Sequence, residues 1–302
     1  MHAVISHASA FRFLDLSARL VPPPEYRFAV RPFDGGEELA YACSRSELAT
    51  MPLDRFSSED KPLDILVPDR TMRRKVKGVR FHAASGKLPP ESLMDAGHGV
   101  LVASAPLLFV QLCQGKSVNQ CIRIGCNLCG CYSLDPSSPD GVVKRKQLAT
   151  KEDLTKYLKL AHHLRGSRNA EAALPWVLEN ARSPKEVELG LAFSLPKRLG
   201  GFGFAQPQLN GSEVIVGPAR TISDDYTNEI DVYWPDQRFG FEYASYSNHG
   251  DIRKIGRDQR RALALREMGV HIVQVTDEQL KDPHQMLALA HILEEYGVPR
   301  VS

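Results

Sequence analysis

The chain has 302 residues, 43% of them hydrophobic and 25% charged, with a net charge of +2. That composition excludes wholesale disorder, and at roughly 100–200 residues per domain the length suggests two domains. The near-neutral balance excludes a chain that is basic throughout, so any nucleic-acid surface has to be a local concentration of Lys and Arg. No apolar run reaches the roughly 18–20 residues of a membrane span, since the longest, residues 99–113, is short and contains Pro106. The N-terminal segment lacks the basic and apolar regions of a secretory signal, so a cytoplasmic protein with reduced thiols and no membrane partner is expected.

Residues 2–20 read as the start of an amphipathic helix, with Ser6 as cap and Ala10, Phe11, Leu14 and Leu16 as apolar positions. Prolines 22–24 break it. Segments 64–67 (DILV) and 79–83 (VRFHA) read as strands around a basic turn, and residues 99–113 as a strand followed by a helix opening at Pro106. Cys121, Cys126, Cys129 and Cys131 crowd the next segment. One CxxC hook, Cys126 with Cys129, has no second hook at zinc-site spacing, so buried thiols are expected there rather than zinc.

Residues 135–153, rich in Pro, Ser, Asp, Gly and Lys, read as a linker or loop. Short helices are predicted at 154–164 and 170–180. The predicted organisation is therefore a smaller α+β domain over 1–140, a linker with helices over 141–182 and an α/β domain over 183–302. The last begins with a helix at 183–195, signalled by Ser183 at the N-cap, Pro184 in the first turn and Glu186 three residues on. Strands follow at 213–216, 229–234 and 238–245, then a helix at 251–269 stopped by Gly269, a buried strand at 270–276 and terminal helical segments.

Asp231 ends one strand of this domain and Glu242 lies in the next. A hairpin can bring two such carboxylates together, and paired carboxylates are best stabilised by a hard divalent cation, Mg²⁺ or Mn²⁺, which can activate water and polarise a phosphate. The plainer alternatives are that Asp231 flanks a turn and that Glu242 pairs with a helix arginine. Glu186 suits a capping box, reaching back to the Ser183 N–H, or a place facing the metal. His249 is either a general base or an exposed loop histidine. Arg253, Lys254, Arg257, Arg260 and Arg261 load one helix with positive charge, and the four arginines fall on one face, as phosphate contacts would require. A solvated face balanced by Asp251, Asp258 and Glu267 is the alternative.

The ordered series Asp231, Trp234, Pro235, Glu242, Tyr243, His249, Asp258, Arg260, Arg261, Gly269, Thr276 and Leu280, with Glu186 ahead of it, resembles the Vsr-like endonuclease domains of the PD-(D/E)xK superfamily. The resemblance covers residues 183–298. It implies a restriction-endonuclease-like fold, a mixed sheet flanked by helices, with catalytic residues at Glu186, Asp231, Glu242 and His249 and metal ligands at Asp231 and Glu242. It departs at Ala244, where these domains carry an acid and the wider superfamily a lysine, and this implies impaired cleavage.

The N-terminal half is similar, more loosely, to AbiEi-like antitoxin proteins, through Ser6, His7, Ser9, Ala10, Val67, Pro68, Arg70, His82, Ser104 and Pro106. The winged helix of those antitoxins is not expected here, so promoter binding is not implied. Two functions follow as expectations: a metal-dependent DNA endonuclease-like protein, or a catalytically silent regulator or antitoxin-like protein that binds nucleic acid, a toxin or another protein.

Overall fold

The structure, a computed structural model, describes residues 1–27, 30–33, 39–57, 61–223, 225–244 and 252–301, the side chains of 252–255 excepted. His249 lies outside the described residues. The chain is α/β and divides into two compact units, residues 1–133 with 143–177 and residues 134–142 with 178–302.

In the first unit β1 (Ala3–Ile5) precedes α1 (His7–Ser17), β2 (Arg31–Pro32) and α2 (Arg45–Ala49). Next come β3 (Leu63–Val67), β4 (Val79–Ala83), β5 (Leu93–Asp95), β6 (Val100–Ala103), α3 (Ala105–Cys113) and α4 (Val118–Leu128). The sheet runs β2-β5-β6-β1-β3-β4, with β1 parallel to β6 and antiparallel to β3. Its central strands are wholly buried, and apart from Asp64 they consist of Val, Ile, Leu and Ala. Residues 3–5, predicted as helix, are thus a core strand. Ser6 does cap α1 by position, but its hydroxyl makes no capping bond.

Cys113, Cys121, Cys126 and Cys129 are buried free thiols, three of them carried by α4 and its C-cap, while Cys43 and Cys131 are half-buried. β7 (Tyr132–Leu134) and β8 (Val142–Lys144) form a hairpin. α5 (Lys151–Ala161) and α6 (Ser167–Ala173) follow. The predicted linker segment 141–182 is therefore mostly part of the first unit. Its apolar residues Leu154, Tyr157, Leu158 and Ala161 are buried, and the Tyr157 hydroxyl lies 2.7 Å from Ser92 Oγ.

The second unit contains α7 (Pro184–Ser194), β9 (Gln208–Val214), β10 (Thr227–Trp234), β11 (Phe239–Tyr243), α8 (Ile252–Glu267), β12 (His271–Val275), α9 (Asp277–Lys281) and α10 (Pro283–Glu295). Its sheet runs β12-β11-β10-β9, antiparallel except for the parallel β11–β12 pair. On one face Phe193 of α7 stacks on Phe241 at 5.0 Å, and Trp234 meets Phe241 edge-on at 5.8 Å. On the other, Leu265 of α8 packs with Ile230, Tyr233 and Val270. β12, predicted as buried, is an edge strand only partly covered: Val275 is buried, but Ile272 and Val273 are half-buried, with one neighbouring strand rather than two.

Side-chain alternation in this sheet breaks at one rung. A Cβ on Gly240 would meet both Ile230 Cγ2 at 2.5 Å and Tyr233 Cδ2 at 3.3 Å, so two residues three apart in β10 share a face. In β9 the reverse occurs. Leu209 faces Gly190 of α7, whereas a Cβ on Gly211 would point at Tyr233 on the opposite face. Between them Asn210 adopts φ 51°, and the pairs Ile230↔Gly211 and Val232↔Leu209 place it beside Asp231. A regular strand cannot do this. Both strands therefore kink together, at Asn210 and Asp231.

Candidate metal and nucleic-acid site

The β10–β11 pairing Val232↔Phe241 puts Asp231 and Glu242 on the next rung of the ladder. There the Tyr243 N–H donates to Asp231 Oδ2 at 2.9 Å, so a side chain takes a bond that a β10 carbonyl would otherwise receive. Glu242, two residues from Gly240, lies on the α8 face, and Arg261 of α8 donates to its Oε1 at 2.7 Å and also to the Glu229 carbonyl. The guanidinium thus ties β10 to β11 across the opening. Among the described residues, no hydrogen bond reaches Asp231 Oδ1 or Glu242 Oε2.

Both carboxyls have pKa values raised by burial. For Asp231 the Tyr243 N–H and the Arg261 and Arg182 charges oppose the rise. For Glu242 the Arg261 charge opposes it, while the charges of Asp231 and Asp258 add to it. The plainer expectation for Glu242, a helix-arginine partner, is therefore what the geometry contains. Among the described residues no group of three or more His, Cys, Asp or Glu side chains is arranged to hold a metal ion, so any cation would have two carboxylates and otherwise water or substrate oxygens.

Glu186 is buried and fully engaged. Its Oε2 accepts from the Arg182 N–H at 2.7 Å and Asn210 Nδ2 at 2.6 Å, and its Oε1 from the Ser183 hydroxyl at 2.9 Å. The expected capping box is displaced by one residue, since the carboxylate reaches the Arg182 N–H rather than that of Ser183. Burial raises its pKa, with the Asp231 charge adding to the rise. Glu186 thus holds the kinked Asn210 beside Asp231. Asn210 and Arg182, the latter paired with Glu229, are missing from the sequence reading. An asparagine inside a strand, the residue most tolerant of positive φ after glycine, is the signal that could have found the first.

Arg261 shares a helix face with Ala264, Leu265 and Met268, which pack inward. Of the predicted basic stripe, Arg261 therefore continues the packed face of α8 beyond the apolar core. Arg257 and Arg260 are exposed and line a hollow with Ser223 and Asp225. Arg253 and Lys254 lie in α8 with side chains outside the described set. Lys185 is held by Asp277 at 2.5 Å and Glu188 at 3.1 Å.

No family model, curated protein or solved structure matches the chain. Among the described residues, no helix is long and apolar enough to cross a membrane.

Proposed function

We propose that the second unit is a nuclease-like, DNA-binding domain whose Asp231 and Glu242 hold one Mg²⁺ or Mn²⁺ and support weak metal-dependent phosphodiester hydrolysis. One observation carries the reading: two half-buried carboxylates stand on adjacent strands just beyond the last paired rung, each with an oxygen that accepts no hydrogen bond among the described residues. Burying two acids so close is costly unless a cation shares them. The helix–strand–strand–strand–helix–strand order of the second unit, with β12 parallel to β11, supports the restriction-endonuclease-like reading.

The bound metal would supply polarisation of a phosphate and a water of lowered pKa. The chain's own part is positional. Tyr243 N–H orients Asp231, Asn210 is held beside it by Glu186, and Arg261 steadies Glu242. Arg257 and Arg260, exposed on α8, would meet the phosphate backbone.

A second reading, a catalytically silent regulator that binds DNA, a toxin or another protein, is favoured by two features. Arg261 already neutralises Glu242, and Ala244 stands where a lysine or acid would assist water. Nicking of plasmid DNA with Mg²⁺ or Mn²⁺, beside the Asp231→Ala variant, separates the readings. An enzyme nicks and its variant does not, whereas a silent binder retards DNA without nicking. If neither cleavage nor salt-sensitive retardation is seen, the nucleic-acid reading fails and only contact with a toxin or another protein is left.

A further inference from the structure

The first unit holds a small, open cavity of about 90 Å³, lined in part by His7, His82, Arg73, Arg165 and Gln111. Its polar wall is built rather than incidental. Asp64 is 3% exposed and lies 2.7 Å from His82 Nε2. The imidazole of His82 stacks on that of His7, with ring centres 3.6 Å apart and planes at 18°. His7 Nδ1 lies 3.0 Å from Ser6 Oγ. Each ring thus has one nitrogen tied to the protein and one left over.

His7 opens α1 at φ 48°, a left-handed conformation that is strained for a non-glycine residue. Its N–H donates to Gln111 Oε1 at 3.2 Å, which helps to hold it there. Burial, and then the neighbouring His82 charge, lower the His7 pKa to about 4, so the ring is neutral at ordinary pH. Burial alone would raise the Asp64 carboxyl. The hydrogen bond from His82 and the charges of His82, His7 and Arg80 outweigh it, and Asp64 lies below its usual range.

The rest of the wall divides by chemistry. Arg73 and Arg165 are exposed at the surface, and among the described residues neither guanidinium has a hydrogen bond or ion pair. Leu66, Leu88, Leu107, Val110 and Leu164 supply an apolar lining. Two arginines suit a phosphate group, and an apolar wall suits an uncharged body attached to it.

We infer that this cavity binds an organic phosphate monoester, with the phosphate on Arg73 and Arg165 beside the His7–His82 pair and an apolar or aromatic body against the leucines. The site is independent of the nuclease reading, because every residue in it belongs to the first unit.

Calorimetric titration of the full chain with phenyl phosphate, inorganic phosphate and benzyl alcohol tests the inference. Expected is one phenyl phosphate per chain, bound at least about tenfold more tightly than either half-probe, with the His7 and His82 ring signals shifting in NMR spectra. Arg73→Ala and Arg165→Ala each remove an exposed side chain, so folding should persist, checked by circular dichroism. Each should weaken phenyl phosphate at least about tenfold. Absence of binding, equal affinity for inorganic phosphate, affinity untouched by the arginine variants, or unmoved histidine signals would each overturn it. Adenosine monophosphate and glucose 6-phosphate, titrated alongside, distinguish a planar aromatic body from a polar one. Preference for the sugar phosphate would overturn the apolar assignment.

Discussion

The Tyr243 N–H donates to the Asp231 carboxylate at 2.9 Å, so a side chain joins β10 and β11 where their ladder opens. Asp231→Asn keeps an acceptor there and removes a half-buried charge. Burial raises the Asp231 pKa, so the folded state holds its proton more tightly than the unfolded chain does. The ionised group therefore opposes folding above the folded pKa, and this penalty fades as pH falls towards the unfolded value. Asp231→Asn should raise Tm by about 2–5 °C at neutral pH, with the gain shrinking in acid. Scanning calorimetry at both pH values checks this, and a gain independent of pH would rule out the charge as its cause.

Arg261→Gln leaves the half-buried Glu242 without its counter-charge. The pair is only partly exposed, 28% and 22%, so a loss of about 1–2 kcal/mol in urea denaturation is expected, less than for a fully buried pair. If Glu242 is a metal ligand, removing its cationic competitor should also tighten Mn²⁺ binding, read by the loss of free-ion paramagnetic resonance signal. Unchanged Mn²⁺ affinity would argue that the metal, if bound, does not use Glu242.

DNA affinity should fall steeply with salt, because phosphate contacts release counterions. Arg257→Ala and Arg260→Ala should each lower the slope of log affinity against log salt by about one, without changing preference among sequences. Retardation assays over a salt series measure it, and a slope unaltered by both substitutions would place the DNA elsewhere.

The lowered pKa of His7 makes the first unit acid-sensitive. Its folded value, about 4, lies below the ordinary imidazole value of 6.5, so between these values the unfolded state binds more protons. The stability held above pH 6.5 should decline as pH falls to about 4, by at most about 3 kcal/mol. His7→Asn, which tolerates the left-handed backbone, should flatten that part of the stability profile relative to the parent chain. Parallel profiles would show that another group titrates there.

Gly166 has φ 99°, and a Cβ placed on it would lie 2.1 Å from the Val110 carbonyl oxygen. Neither partner is a flexible side chain, so Gly166→Ala should cost about 3 kcal/mol or more, measurable in the urea midpoint.

Much of the second unit was legible in the sequence, because its strands and α8 have contrasting periodicity and its caps are conventional. Asp231 and Glu242 could be paired because a short turn joins their strands. Residues 3–5 were not legible. A three-residue core strand running into an apolar helix offers no change of period to read. β12 misled for the opposite reason, since an apolar run in an edge strand looks like one in the centre. The partners of Glu186 and the inward turn of Arg261 depend on tertiary approach, which spacing along a helix does not encode. The His7–His82–Asp64 cluster joins three segments through β3–β4 register and the entry to α1, so composition around any one of them is silent about it.

The shared kink at Asn210 and Asp231 has a consequence for how this sheet can vary. Deleting one residue from either strand would restore its regular alternation and turn everything beyond the deletion inside out relative to its neighbour. Glu213, which receives the Tyr233 hydroxyl, would swing to the Phe193 side in one case, and Ile230 would leave Leu265 in the other. Only matched changes in both strands keep the two faces consistent. The irregularity therefore behaves as a single two-part insertion, which has to be gained or lost as a pair.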